Sequence, residues 1–319
     1  MGEWKERKVV IVGAGAVGST FAYALAQTGI ADTIVLLDQN QELMKGQVLD
    51  LEHGLAFRPT IIIREGSQAD YHDAHVIVIT AGAKQQPGES RLNLLKKNIT
   101  IVEHIAMDIA AQGSPAVIVV VSNPVDLLTY VILKKLDWTR GRVFGSGTFL
   151  DSARFRYLLS QHCGIDVHNV HAYILGEHGD SEFAAWSMAH IAGMPIDQYC
   201  VVCNKCEDLK KEKRQIEDEV RDSAYHIIDY KGSTNFAIGL ALVQIVAAII
   251  RNQHSVLTVS TLLNGEYGLH DVCISIPCIL FGHGIEQIIE ERLTEDELQA
   301  LAHSANVLRK TLEEVHDVS

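Results

Sequence analysis

A histidine set between two glycines, in "ILGEHGDSE" (174–182), stands where an apolar run gives way to polar chain. Imidazole takes up and releases a proton near neutral pH, so His178 is a candidate for proton transfer. Residue type alone does not single it out, because the chain carries 15 histidines. Most of those must be surface groups or satisfied core residues. Upstream, "LDSARFR" places Asp151 and Arg154 three residues apart, and so on one face of a helix. Two readings of that pair stay open. In one, acid and base satisfy each other on the helix surface, which contributes little. In the other, Asp151 orients and charges a histidine while Arg154 forks onto a carboxylate with two parallel hydrogen bonds. Asn123, in "VSNPVD" (121–126), also ends an apolar run. Its amide can bind a substrate oxygen or a ribose, unless Asn-Pro is only a turn.

A second constellation lies near the N-terminus. "VVIVGAGAVGSTFAYAL" holds Gly13, Gly15 and Gly18 as G-x-G-x-x-G, with Val17 just before the last glycine. Alone the motif is weak, but its place between a buried strand and an amphipathic helix gives it a mechanism. Gly13 allows a tight turn, Gly15 lets backbone approach a pyrophosphate, and Gly18 lets helix and strand touch. The helix N-terminus adds free N–H groups and partial positive charge for the phosphates. Asp38 ends the second apolar run, about twenty residues past Gly18, where a carboxylate accepts hydrogen bonds from an adenosine ribose. The same charge repels a 2′-phosphate, which points to NAD rather than NADP. The plainer alternative is a structural glycine turn and an unrelated surface aspartate.

These groups need a frame. "KVVIV" (8–12), "TIVLLD" (33–38), "HVIVIT" (75–80) and "AVIVVVS" (116–122) are continuous apolar runs, the pattern of strands buried on both faces of a parallel sheet. Between them, "AVGSTFAYALAQTG", "QELMKGQVLDLEHG" and "LNLLKKNITIVEHIAMDIAAQG" have helical period, and each closes on glycine. This alternation predicts an α/β fold, a doubly wound open sheet with ligand at the carboxyl ends of its strands. Near residue 147 the pattern changes. An amphipathic helix, "TFLDSARFRYLLSQHCG", is followed by short strand-like pieces around "HAYILG" and "EFAAW". Long helical stretches come next, from 207 to 250, then the strands "SVLTVST" and "DVCISIPCIL". A last helix opens with the capping box "TEDE" (294–297) and aligns Leu298, Leu301, Ala305, Leu308, Leu312 and Val315 on one face. The expected organisation is a nucleotide-binding domain over 1–146 and an α+β substrate domain over 147–319, packed beside the sheet.

Composition narrows the partners. Of 319 residues, 47% are hydrophobic and 21% charged, as in a soluble globular protein long enough to bury a core without disulfides or structural metal. A net charge of −13 argues against duplex nucleic acid as a partner. The longest apolar segment, "GLALVQIVAAII", is too short to span a bilayer, and no secretory signal is visible. Six cysteines without framework spacing read as reduced thiols, so a cytoplasmic protein is expected. "CVVCNKC" (200–206) looks like half of a metal motif, but it has no second pair at zinc-finger distance. Glu207 and Asp208 also oppose thiolate formation, so no metal is expected there.

In order and spacing, Gly13-x-Gly15-x-x-Gly18, Asp38, "GAKQQPGESRLNL", "SNPVD", "GSGTFLDSARFR", "GEHGDSE" and "KGSTNFAIG" resemble the L-lactate dehydrogenases, the bacterial ones most of all, over essentially the whole chain. The resemblance implies a Rossmann domain for NAD and reversible reduction of pyruvate to L-lactate. Under it, His178 matches the proton donor and acceptor, Asp151 its partner, and Arg154 the carboxylate anchor. Arg91 matches a residue on a loop that closes over substrate. Asn123 and Thr234 match further active-site positions, and Gly82 and Ala83 cofactor positions. Gln85 stands where malate dehydrogenases carry an arginine for the second carboxylate of oxaloacetate, so a neutral amide here fits pyruvate.

The loop "KQQPGESRL" (84–92) then has a physical reading. Ketone reduction leaves negative charge on oxygen, and a guanidinium in a water-excluded site stabilises it. Gly88 gives the segment freedom, Pro87 limits it, and Arg91 is delivered on closure. The resemblance also implies a homo-oligomer, dimer or tetramer. Arg156 and His171 match an anion site between subunits in bacterial enzymes activated by fructose 1,6-bisphosphate. Two other classes remain: a 2-hydroxy-acid dehydrogenase of another specificity, malate included, and a non-catalytic NAD-binding protein on the same fold.

Overall fold

Strands that are apolar throughout need cover on both faces, and the first half of the chain supplies it. The computed structural model describes residues 6–58, 60–84, 88–136, 138–203 and 208–316. In chain order the first half forms β1 (Lys8–Val12), α1 (Ala16–Ala26), β2 (Thr33–Leu37), α2 (Gln41–His53), β3 (Ile62–Glu65) and β4 (Val76–Ile79). It continues with α3 (Arg91–Ala111), β5 (Val117–Val120), α4 (Val125–Leu136) and β6 (Val143–Gly145). Every residue of β1, β2, β4, β5 and β6 is buried, whereas β3 at the edge is not. The six strands run parallel in the order β3-β2-β1-β4-β5-β6. Strand order reverses between β1 and β4, which makes a crevice at their carboxyl ends, the place where open α/β sheets bind ligand.

The second half begins with α5 (Phe149–Cys163) and five two-residue strands, β7 (Val170–His171), β8 (Ile174–Leu175), β9 (Phe183–Ala184), β10 (His190–Ile191) and β11 (Met194–Pro195). Three helices follow, α6 (Ile196–Cys203), α7 (Leu209–Lys231) and α8 (Phe236–Ile250). Then come β12 (Ser255–Asn264), β13 (His270–Phe281), β14 (Gly284–Ile288) and α9 (Glu295–His316). The long strands do not stand beside the first sheet; they extend it. β12 pairs antiparallel with β6 through Ser260 and Gly145, and β13 and β14 follow, giving one nine-stranded sheet. This covers the open edge that β6 would otherwise present.

Thr294 and Glu297 form the expected capping box: the Thr294 N–H donates to the Glu297 carboxylate at 2.8 Å, and the Glu297 N–H to Thr294 Oγ1 at 3.3 Å. Below it Leu301, Ala305, Leu308 and Val315 are buried and Leu312 packs against the core, but Leu298 is exposed. It sits in the first turn of α9. A smaller core around Phe155, Leu159, Ile174 and Val220 holds α5 to α7, with Phe155 edge-on to Trp186 at 4.8 Å.

Candidate active site

The loop after β8 is fixed by groups from four separate elements. Gly176 has φ +100°, and a Cβ there would lie 2.9 Å from Ser304 Oγ, so glycine is required. Its N–H and carbonyl pair with Ser275 of β13 at 3.1 and 3.0 Å. The Glu177 N–H donates to Ser304 Oγ of α9 at 2.6 Å. The His178 N–H donates to Asp126 Oδ2, in the first turn of α4, at 2.8 Å. Finally, ring nitrogen Nδ1 of His178 meets Asp151 Oδ2 of α5 at 2.6 Å. Nδ1–H donates to the ionised carboxylate in that contact, which leaves Nε2 for chemistry. The ring keeps 26% of its side-chain surface exposed, enough for a small molecule to reach it.

Arg154 Nη1 donates to the other oxygen of Asp151. The acid–base pair set out above as a surface alternative is therefore present, but it is not on the surface: the side chains are 13% and 2% exposed. It also coexists with the histidine contact, because one carboxylate has two oxygens. Burial opposes the charge of Asp151, yet His178 and Arg154, by charge and hydrogen bond, hold its pKa below the usual carboxylate range. Burial likewise opposes a charged imidazole. The Asp151 charge and hydrogen bond, with the fields of Glu182 and Asp126, outweigh it and push His178 up to about 9. At neutral pH the site thus presents a protonated imidazole backed by a carboxylate and flanked by a guanidinium, which suits proton donation beside an anion.

Two supporting residues have no forerunner in the sequence reading. Asp126 is 1% exposed, and its Oδ1 is buried without a hydrogen bond, as is Ser260 Oγ. Burial pushes its carboxyl up to about 6, against the opposing effects of the nearby Ser260 hydroxyl and the His178 N–H. Asn98 of α3, also buried, accepts from the Ala83 N–H at 2.8 Å and donates to the Asn123 carbonyl at 2.9 Å. It ties the chain leaving β4, with Gly82 and Ala83, to the chain leaving β5. Asn123 itself is exposed and precedes Pro124 through a cis peptide bond.

The glycine turn has the shape its spacing predicts. Gly13 has φ +108°, and a Cβ at Gly18 would lie 1.9 Å from the Gly13 carbonyl oxygen. Gly15 faces open space and caps α1 without any side-chain hydrogen bond. The first N–H groups of the helix, at Ala16 and Val17, thus remain for an anion. Asp38 follows β2 directly, and its carboxylate accepts from the Ala14 N–H at 2.7 Å and the Asn40 N–H at 2.8 Å. The uncapped helix, the glycine opening and the acid at the end of β2 together fit an adenine dinucleotide with a free 2′-hydroxyl.

Both halves of the chain match sequence profiles of a single family. Residues 7–145 match the lactate/malate dehydrogenase NAD binding domain, and residues 148–318 the lactate/malate dehydrogenase alpha/beta C-terminal domain. The chain belongs to the lactate/malate dehydrogenase family. It is an NAD-dependent oxidoreductase of that family. An L-lactate dehydrogenase of Treponema denticola is 57% identical over 314 residues, 98% of this chain and 99% of that protein. One from Acetivibrio thermocellus is 47% identical, covering 96% of each. Among solved structures, a lactate dehydrogenase from a Medee basin deep-sea metagenome library superimposes with a TM-score of 0.95 at 43% identity, covering 98% of this chain and all of that one. The ligands-bound minor L-lactate dehydrogenase of Enterococcus mundtii gives 0.94 at 40% identity, covering 97% and 98%.

Other positions singled out by resemblance to this family fall as follows. Arg91 is the first residue of α3, capped by Ser90, rather than a loop residue. It is exposed and lines a cavity of about 670 Å³ with Glu177, Asp180, Glu182 and His303. Tyr225 donates to Asp180 at 2.7 Å, with Arg91 acting on the same hydroxyl. Gln85 lies outside the described residues. Thr234 is half-buried in the turn between α7 and α8, which Asn235 ties to Thr20 of α1 at 2.8 Å. Arg156 is half-buried on α5 and donates to the Ser152 carbonyl at 3.3 Å. His171, exposed on β7, lies opposite His190 of β10. Cys163, Cys200, Cys273 and Cys278 are buried thiols outside any disulfide, whereas Cys206 lies outside the described residues. No helix among the described residues is long and apolar enough to cross a membrane.

Proposed function

We propose that this chain is an L-lactate dehydrogenase that reduces pyruvate reversibly. The reading rests chiefly on the buried chain from Arg154 through Asp151 to His178. Residues 1–146 hold NAD and residues 147–319 the keto acid. Gly13, Gly15, Val17 and Gly18 receive the pyrophosphate, Asp38 the ribose, and Gly82, Ala83 and Asn123 border the nicotinamide. Bound NADH would supply the hydride. His178, protonated, donates from Nε2 to the ketone oxygen as charge develops there, and Asp151 keeps the ring oriented and its cation stable. Arg154 has five N–H donors; those not given to Asp151 hold the substrate carboxylate. Arg91, brought in at the start of α3, stabilises the oxygen, while Gln85 and Thr234 face the rest of the substrate. Lactate oxidation runs the same steps in reverse and needs neutral His178.

The test is the pH dependence of each direction. With His178 pushed up to about 9, kcat/KM for pyruvate should fall as pH rises through that value. Lactate oxidation should rise over the same interval. A pyruvate profile that climbs through this range contradicts the assignment, as does full activity in His178→Asn.

Regulation by fructose 1,6-bisphosphate is part of the same proposal. Among the described residues no carboxylate pairs with Arg156, whose pKa burial lowers, and His171 stands exposed on β7. Set against their symmetry mates in a homo-oligomer, dimer or tetramer, these groups repel until a phosphate arrives. Exposed Tyr23, Phe57, Phe236 and Leu240 supply apolar surface for such assembly. Initial rates measured with and without the bisphosphate should show activation; a flat response removes this part. On this reading the protein works in the cytoplasm.

A further inference from the structure

The reaction proposed above gives no task to Glu182, the last residue of "GEHGDSE", although it is only 8% exposed. One of its oxygens, one of Asp151's and a ring nitrogen of His178 lie within 4.8 Å of one another. Two carboxylates this close in a poorly solvated pocket do not readily ionise together. Asp151 takes the charge, since the His178 ring and the Arg154 guanidinium each bind one of its oxygens. Glu182 has no such support: among the described residues, nothing donates a hydrogen bond to its carboxylate. A proton shared between the two acids therefore resides on Glu182.

The surrounding charges do not reverse this. α5 brings Asp151 and Arg154, α7 brings Arg221, and α4 brings Asp126 behind the histidine. Its own loop carries Glu177 and Asp180, while α9 adds His303 and Glu314, and α3 adds Arg91, around the shared cavity. Arg221 gives its Nη1 to Asp218 at 3.2 Å and makes no hydrogen bond to Glu182. Burial first, and then the charge of Asp151, push Glu182 well above the ordinary glutamate range, against the fields of His178, Arg154 and Arg221.

We propose that Glu182 is a positioning residue that works uncharged: it holds a proton while the keto acid is bound, and its ionisation sets an alkaline limit on substrate binding. This rests on the reading of Arg154 as the carboxylate anchor. With Glu182 protonated, Asp151 and the substrate carboxylate face Arg154 and protonated His178, two charges against two. Ionised, it adds a third negative charge with no cation bonded to it, and the incoming carboxylate is repelled.

The test compares wild type with Glu182→Gln, an isosteric substitution that cannot ionise. Two quantities are measured from about pH 6 to about pH 10, a span covering perturbed acids and histidines. One is KM for pyruvate at saturating NADH. The other is the proton uptake, followed with an indicator dye, when oxamate, an unreactive amide analogue of pyruvate, binds the NADH complex. In wild type KM should rise with pH before kcat falls. In Glu182→Gln that rise should move up by at least about one pH unit, a tenfold change in KM at fixed pH, and proton uptake at alkaline pH should shrink. An unmoved profile makes the residue structural and overturns the proposal. So does a profile moved to lower pH, which shows a resting charge that supports the proton of His178. Turnover by His178→Asn is a separate measurement, so failure of the dehydrogenase reading is told apart from failure of this one.

Discussion

His178 is held by two aspartates that do different things. Asp151 binds the ring and sets its charge, while Asp126 binds the backbone N–H and sets where the ring stands. Substitution separates the tasks. Asp126→Asn keeps an oxygen for the N–H, whereas Asp126→Ala leaves a buried donor unsatisfied, which costs about 1–3 kcal/mol. Steady-state kinetics should show kcat reduced by about tenfold or more in the alanine variant, some 1.4 kcal/mol, and several-fold less in the asparagine variant. KM for NADH should hold in both; equal losses would mean that charge, not position, is what Asp126 supplies. His178, Asp151 and Arg154 were legible in the sequence because their side-chain types carry the chemistry. Asp126 was not, although it lies inside the quoted "SNPVD", because its partner is a backbone N–H 52 positions away. Backbone donors leave no mark in residue types.

Among the elements, α9 is more than cover for the sheet. Its apolar stripe was readable from period, and its capping box from "TEDE". Ser304, by contrast, reads as one more polar helix residue, yet it is fully buried and accepts the Glu177 N–H while meeting the Ser181 hydroxyl at 2.9 Å. The last helix thereby fixes the loop that carries His178. Ser304→Ala should lower thermal stability by about 1–2 kcal/mol and reduce kcat several-fold with KM for NADH unchanged, as read by a melting curve beside initial rates. A variant with wild-type kcat would show that the loop is held by Asp126 and Ser275 alone. The glycine-bounded helices were also only partly readable. Gly54 does not stop the chain's winding, which runs on as a 3-10 turn to Phe57, because its backbone stays right-handed at φ −77°.

At the scale of the whole molecule, the parallel sheet and its order followed from buried runs alternating with helices. Its continuation through β12, β13 and β14 did not, since pairing Gly145 with Ser260 leaves no local pattern. That continuity matters for the site: α4, β13, α5 and α9 all reach the His178 loop, so the nucleotide-binding sheet and this loop share one framework. On the proposed function Arg154 neutralises one substrate carboxylate, and a second, desolvated without a partner, would carry a penalty of several kcal/mol. Gln85→Arg should supply that partner and raise activity on oxaloacetate relative to pyruvate. The most direct test is the ratio of kcat/KM for pyruvate to that for oxaloacetate in the unmodified protein, from NADH absorbance at one pH and salt. The expected ratio favours pyruvate by at least about a hundredfold, some 2.7 kcal/mol. A ratio near one, or in favour of oxaloacetate, would contradict a pocket built for a single acid group.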